Sequence, residues 1–197
     1  DFMAERRIRA VWLKDPDLRR VMSCLCEDGG TARIAGGAVR NALLKKPISD
    51  IDIATPHLPN EVMRRAKAAG LGVHPTGLDH GTVTLTSNGK AFEVTTLRRD
   101  VQTDGRRAVV AFTQDWSEDA ARRDFTINAM YYDPLTQIVV DYHGGLKDIK
   151  KRALRMIGDP VTRYREDPVR IVRAVRFAAK LGFDIEPATR TPIREMA

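Results

Sequence analysis

The segment Arg33-Ile34-Ala35-Gly36-Gly37-Ala38-Val39-Arg40, followed by Ser49-Asp50-Ile51-Asp52-Ile53, admits few folds. It reads as a short strand, a glycine turn, a helix and a second strand carrying two aspartates. Side chains alternate across a strand. Asp50 and Asp52 are therefore expected on one face, and Ile51 and Ile53 on the other, in a core. Two adjacent carboxylates repel each other, and a cation between them resolves the conflict. Oxygen donors of this kind suit Mg²⁺, which keeps several waters and takes one or two carboxylates plus substrate phosphates. The Gly36-Gly37 turn opens a helix whose first backbone N–H groups can face a phosphate. Arg40, on the first turn, can clamp the same group. Metal-binding carboxylates beside a phosphate cradle are the layout of a phosphoryl or nucleotidyl transferase.

At 197 residues the chain fits one domain and part of another. Its 43% hydrophobic content supplies an ordinary core. No apolar run is long enough to span a membrane, and the start, Asp1 to Arg7, lacks the apolar core of a secretion signal. Cys24 and Cys26 are the only cysteines. Their spacing matches no zinc site, and they are expected to be reduced packing residues of a cytoplasmic protein. The 33 Lys and Arg against 26 Asp and Glu leave a net charge of +7, which points to an anionic partner. Arginine clusters late, at Arg163, Arg165, Arg170, Arg173 and Arg176, and its planar fork suits phosphates and base edges.

Apolar spacing predicts an amphipathic helix over residues 15–28, a buried strand over 32–35, a helix over 38–45 and the aspartate strand over 50–54. Pro59 starts a further helix that Gly70 closes. Alternating residues from Gly81 to Thr86, an Asn88-Gly89 turn and a returning strand from Ala91 to Thr96 predict a hairpin. This hairpin is expected beside the aspartate strand, with Glu93 on the carboxylate face. Residues 101–116 are polar and read as a mobile loop. A capped helix is expected from Ser117, then strands near Tyr131 and over 138–141, then a short helix after Gly144-Gly145. Beyond Asp159 the pattern is helical, and Val169 to Leu181 is amphipathic. The division expected is an α/β head over 1–157 and the start of a helical part over 158–197. The second part is too short to bury its own core, so the chain is expected to be truncated.

Four motifs, in this order, carry a family resemblance: Gly36-Gly37-Ala38-Val39-Arg40; Asp50-Ile51-Asp52; Arg122-Arg123-Asp124-Phe125-Thr126-Ile127-Asn128-Ala129; and Arg165-Glu166-Asp167-Pro168-Val169-Arg170 with Arg173 and Arg176. From about Leu18 to Pro187 the chain resembles the class II tRNA nucleotidyltransferases (CCA-adding enzymes) and bacterial poly(A) polymerases, a branch of the polymerase-β-like nucleotidyltransferases. The resemblance implies a head with a mixed, mainly antiparallel sheet and flanking helices, followed by the start of an all-helical neck. It implies two Mg²⁺ ions on Asp50 and Asp52, with Glu93 a candidate third carboxylate. Gly37 and Arg40 would bind the triphosphate, Arg123 would reach the nucleotide, and Asp124 and Asn128 would meet ribose hydroxyls. Asp167 and Arg170, read as i and i+3 on one helix face, would recognise the base edge of an incoming ATP or CTP. Arg173 and Arg176 would continue that stripe. The glycine motif departs from the family at Asn41, where an aspartate is usual.

The implied reaction adds C and A nucleotides from CTP and ATP to tRNA 3′ ends, without a nucleic-acid template. The stretches Gly77 to Thr84 and Glu93-Val94-Thr95-Thr96-Leu97-Arg98 look like CCA-adding enzymes, whereas Arg163 to Gly182 also looks like poly(A) polymerases. Poly(A) addition to RNA 3′ ends, or one half of a split CCA activity, therefore stays open. So does a non-catalytic RNA- or nucleotide-binding remnant, against which the intact Asp50 and Asp52 stand. A small-molecule nucleotidyltransferase shares the glycine and aspartate pattern, but the Asp167/Arg170 pair speaks against it.

Overall fold

The computed structural model describes residues 3–4, 8–103 and 107–196. A two-residue strand, β1 (Met3–Ala4), precedes helix α1 (Pro16–Cys26). The α1 start follows from its residues: Pro16 fills the first helical position and the Asp15 carboxylate accepts the Asp17 N–H at 2.9 Å. Leu18, Val21, Met22 and Leu25 bury one face of α1. Strand β2 (Arg33–Ala35) ends at Gly36, whose φ of 68° turns the chain into α2 (Gly37–Leu43). Strand β3 (Asp52–Thr55) and helix α3 (Pro59–Ala68) follow. Strands β4 (Gly72–Gly77), β5 (Thr82–Ser87) and β6 (Lys90–Thr96) form a meander. Asn88 and Gly89, with φ of 49° and 79°, make the tight turn between β5 and β6.

The chain continues through β7 (Arg98–Thr103), β8 (Arg107–Phe112), α4 (Trp116–Ala121), β9 (Met130–Asp133), β10 (Ile138–Asp141) and α5 (Gly145–Lys151). It ends with β11 (Ala153–Leu154), α6 (Pro160–Glu166), α7 (Val169–Leu181), β12 (Asp184–Ile185) and α8 (Pro187–Met196). The main sheet has eight strands in the order β1-β10-β9-β2-β3-β6-β5-β4. Every pairing is antiparallel except β3 with β6, so the sheet is mixed and mainly antiparallel, as expected.

One core lies between the sheet and helices α1, α2 and α3, and includes Leu18, Leu25, Val39, Val62, Ile34 and Ile53. Cys24 is buried in it and Cys26 packs against it, both as free thiols. A second cluster on the other sheet face joins Ala35, Ala54, Leu97 and Tyr131 to Ala120 of α4. A third joins Phe125, Ile127, Leu154 and Met156 to Tyr164, Ala174, Leu181 and Phe183 of the C-terminal helices and β12 approach. Strands β11 and β12 pair in parallel within that region. Among the described residues no helix is long and apolar enough to cross a membrane.

Two expectations change here. Residues 101–116 are not a polar loop: β7 and β8 form a separate antiparallel hairpin over residues 98–112, with Asp100 opposite Val110 and Val101 opposite Val109. Residues 104–106 lie outside the described residues. The charged residues of this stretch masked the strand-forming run Ala108-Val109-Val110-Ala111-Phe112. The hairpin base rests against Gly81, where a Cβ would meet the Phe112 ring at 2.5 Å. Asp50 also falls outside its expected strand, which begins at Asp52. Ala35 pairs with Asp52 and Gly36 then turns away, so β2 offers no ladder partner to Ile51 or Asp50. Ile51 still packs against the first core, and Asp50 is exposed.

Candidate active site

Parallel pairing of β3 with β6 sets Asp52 directly across from Glu93. Both side chains reach solvent, and so does Asp50. Desolvation first, then the Glu93 charge and hydrogen bond, push the Asp52 carboxyl up to about 6; Asp50 adds to this and Arg123 opposes it. The carboxylate face is thus short of positive charge, which is the condition a bound cation would relieve. Among the described residues no three His, Cys, Asp or Glu side chains converge into a metal cage. A metal held here must draw further ligands from water or substrate.

Arg123, whose charge acts on Asp52, also lines a cavity of about 450 Å³, walled by α2, the segment Arg122–Asn128, the start of β7, and α7; Asp50, Asp52 and Glu93 are outside that lining. Gly37, Arg40, Arg123, Asp124, Asn128, Asp167, Arg170 and Arg173 all line it, so eight of the nine residues expected to bind nucleotide share one space. Arg176, the ninth, is exposed and outside the lining. A larger cavity, about 720 Å³ between Ile8–Ser23 and Tyr132–Gln137, contains none of the expected site residues.

A chain of contacts fixes the cavity wall. Arg40 is 7% exposed, and its Nη1 donates to Asn128 Oδ1 while Nε donates to Asn41 Oδ1 at 3.0 Å. Burial pushes the Arg40 pKa down, and Asp124 partly offsets this. Asn128 Nδ2 donates to Asp124 Oδ1 at 3.3 Å, and Asp124 Oδ2 accepts from Arg173 Nη2 at 2.6 Å. Phe177 lies under both cations, 5.1 Å from the Arg40 guanidinium carbon and 5.7 Å from that of Arg173. The Asn41 departure has a local role: Nδ2 donates to the Pro47 carbonyl at 3.2 Å, which a carboxylate could not do.

Arg123 is held from behind. Asp119, 4% exposed, accepts from Arg123 Nη2 at 3.3 Å, from the Tyr131 hydroxyl and from the Arg98 backbone N–H at 2.9 Å. Burial works against the Arg123 charge, but the Tyr131 and Asp119 contacts outweigh it and its pKa is raised. Its guanidinium lies 5.4 Å from the centre of the Tyr131 ring.

The expected Asp167/Arg170 pair is arranged differently. Asp167 is not in a helix: it links α6 to α7 with φ −150° and ψ 99°, and its Oδ1 accepts the Val169 N–H at 3.1 Å. Pro168 explains this, since a residue before proline is driven from helical to extended backbone. Arg170 instead donates to the Arg163 carbonyl at 2.9 Å and pairs with Glu166 at 3.2 Å. Both residues nonetheless face the cavity. Sequence reasoning missed Arg98, Arg122 and Phe177 in the lining, and Asp119 and Tyr131 behind it. Phe177 had a signal: it follows Arg173 by four residues on one helix face.

Residues 32–155 match the poly(A) polymerase head domain family. The chain belongs to this family. It is 45% identical to the mitochondrial CCA tRNA nucleotidyltransferase 1 of Danio rerio over 84% of the chain and 39% of that protein. It is 44% identical to the CCA-adding enzyme of Oceanobacillus iheyensis over 86% of the chain and 42% of that enzyme. Among solved structures it resembles the Bacillus stearothermophilus CCA-adding enzyme in complex with CTP, with TM-score 0.78 and 40% identity over 89% of the chain and 42% of that structure. It also resembles a tRNA nucleotidyltransferase complexed with a primer tRNA and an incoming ATP analog, with TM-score 0.71 and 35% identity over 89% of the chain and 49% of that structure. The chain therefore spans less than half the length of these relatives. Its sheet and flanking helices are the poly(A) polymerase head fold seen in the CCA-adding enzymes.

Proposed function

We propose that this chain is the catalytic part of a template-independent RNA nucleotidyltransferase that adds C and A nucleotides from CTP and ATP to the 3′ end of tRNA. The observation that carries the reading is the cationic cavity of Arg40, Arg123 and Arg173, joined through the Arg123 charge to the Asp52 carboxylate opposite Glu93. In the reaction the RNA 3′-hydroxyl oxygen bonds to the α-phosphorus of the nucleotide. The bond from that phosphorus to the bridging oxygen breaks, pyrophosphate leaves and the hydroxyl proton is released to water.

Asp50 and Asp52 would hold Mg²⁺, with Glu93 alongside; an ion that takes one or two carboxylates and keeps several waters fits this donor set, and its charge would relieve the strain between Asp52 and Glu93. When bound, the metal supplies Lewis-acid stabilisation of the attacking and leaving oxygens. Gly37, at the first turn of α2, and Arg40 and Arg123 bind the triphosphate. Asp124 and Asn128 offer acceptors and a donor to ribose hydroxyls. Asp167 and Arg170 meet the base edge, and Arg173 braces Asp124. Arg176, exposed on α7, is left for the RNA. Residues 1–157 form the head and 158–197 begin the helical neck. The free cysteines fit a reducing compartment such as the cytoplasm.

The test is incorporation by the full-length protein on tRNA transcripts ending before, within and after CCA, with Mg²⁺ and each nucleotide alone and in pairs. Ordered addition of two C and one A, then a stop, is expected. A long A tract on many RNAs would make the protein a poly(A) polymerase. Addition of only C or only A would assign a split activity. Mg²⁺-dependent nucleotide binding without any incorporation would overturn the reading in favour of a binding remnant.

A further inference from the structure

Six arginines line the cavity, and their charges are met unequally. Arg122 pairs with Asp100, Arg123 with Asp119, Arg170 with Glu166 and Arg173 with Asp124. Two have no carboxylate partner among the described residues. Arg40 is one, and neutral Asn41 and Asn128 orient it. Arg98 is the other. Its guanidinium makes no hydrogen bond or ion pair among the described residues, and its Nε is buried without a partner. Among the described residues four side-chain nitrogens share that condition, in Arg33, Arg98, His143 and Arg163, and of these Arg98 alone belongs to the cavity lining.

A buried donor with no acceptor is destabilising, and an unpaired buried cation more so. Such a group persists where an acceptor arrives with the ligand. Burial, then the charge of Arg122, push the Arg98 pKa down, and the Asp119 and Asp100 charges only partly offset this. The Arg98 backbone is fixed independently, because its N–H donates to Asp119 at 2.9 Å. Asp119 therefore anchors Arg98 at its backbone and Arg123 at its guanidinium, so two cations are set from one buried carboxylate. Arg98 closes the segment Thr95-Thr96-Leu97-Arg98, directly after the strand that carries Glu93.

We infer that Arg98 is an anion-binding residue of this site, forming with Arg122 a second phosphate subsite apart from Arg40. The ligand chemistry is a phosphate oxygen, delivered either by the triphosphate and its pyrophosphate product or by the RNA backbone near the 3′ end. The inference deepens the nucleotidyltransferase reading and rests on it for the identity of the phosphate carrier.

The test uses the full-length protein with Arg98→Gln, and with Arg98→Lys as the variant that keeps the charge. Binding of inorganic pyrophosphate, Mg²⁺-CTP, cytidine and a tRNA transcript lacking CCA is titrated, and thermal unfolding is followed. Arg98→Gln is expected to weaken one phosphate carrier about tenfold, a change of about 1.4 kcal/mol, with cytidine binding unchanged and Arg98→Lys intermediate. Loss confined to pyrophosphate and CTP assigns the triphosphate as the source. Loss confined to tRNA, with a shallower salt dependence, assigns the RNA backbone. The inference is overturned if Arg98→Gln binds all four probes as wild type does, or if cytidine and CTP weaken equally, since that outcome is a structural effect. Should the wild-type protein bind neither CTP nor tRNA, the nucleotidyltransferase reading fails. The pyrophosphate titration then still decides whether Arg98 receives an anion.

Discussion

Asp52 is where the carboxylate chemistry and the stability of the protein meet. Its pKa rises from 3.8 to about 6 through desolvation and Glu93. Between these two values the folded state binds more protons than the unfolded chain. Stability therefore falls as pH rises from about 4 to about 6 and stays lowered above that. Asp52→Asn removes the group, so in chelator-treated protein the variant is expected to melt higher than wild type at pH 7 and level with it near pH 4. It is also expected to abolish nucleotide incorporation. An unchanged or lower melting temperature at pH 7 would show that Asp52 carries no such deficit. Behind the cavity the balance is reversed, because Asp119 is buried and fully engaged. Losing its charge leaves three donors weakly met, and Asp119→Asn is expected to cost about 2–3 kcal/mol in urea unfolding. Tyr131→Phe removes one donor and its hydroxyl together, with an expected cost nearer 1 kcal/mol. Equal costs for the two would mean that the carboxylate gains nothing from Arg123.

Elements placed by local chemistry were legible in the sequence; those placed by partners were not. Asn88-Gly89 demands positive φ at both residues and so announced its hairpin, and with it the position of Glu93. The β7–β8 hairpin was hidden by its charges, since its pairing is antiparallel but isolated from the main sheet. Arg98 and Asp119 were hidden for another reason: their importance lies in contacts between segments 21 residues apart, which no local pattern encodes. The link at Asp167 combines both cases. It lines the cavity, yet Pro168 makes it a capping residue and not a helical one. Two roles then fall on one carboxylate, and substitution can separate them. Asp167→Asn keeps a capping oxygen, so stability is expected to hold within about 0.5 kcal/mol. Selectivity among CTP, ATP, GTP and UTP is expected to relax. Asp167→Ala loses the cap as well, at a cost of about 1 kcal/mol. Undiminished selectivity in Asp167→Asn, measured by competing nucleotides, would remove this residue from base recognition.

At the scale of the whole molecule, the sequence boundary near residue 157 crosses a shared core. Phe125, Ile127, Leu154 and Met156, each at most 4% exposed, are covered by Tyr164, Ala174, Leu181 and Phe183 from the far side of that boundary. The Arg122–Asn128 segment, which supplies Arg123, Asp124 and Asn128 to the cavity, also supplies Phe125 and Ile127 to this core. Arg163 of α6 reinforces it, donating to the Arg123 carbonyl at 2.7 Å and the Arg122 carbonyl at 3.0 Å. Each large apolar side chain uncovered forfeits about 1.5–3 kcal/mol, and four of them together rival the 5–15 kcal/mol that holds a typical domain folded. A chain cut after Ile157 is therefore expected to bind a hydrophobic dye and to lose cooperative melting. It is also expected to lose Mg²⁺-CTP binding, although it retains Asp50, Asp52, Glu93, Gly37, Arg40 and Arg123. The contrast with a point variant makes the result interpretable. Phe125→Leu keeps most of the buried volume, and at a cost of about 1–2 kcal/mol it should lower stability while leaving CTP affinity within a few-fold of wild type. If the cut chain melts cooperatively and binds CTP as the longer one does, the triphosphate side of the site is complete within the head. The C-terminal helices would then serve only the base and the RNA.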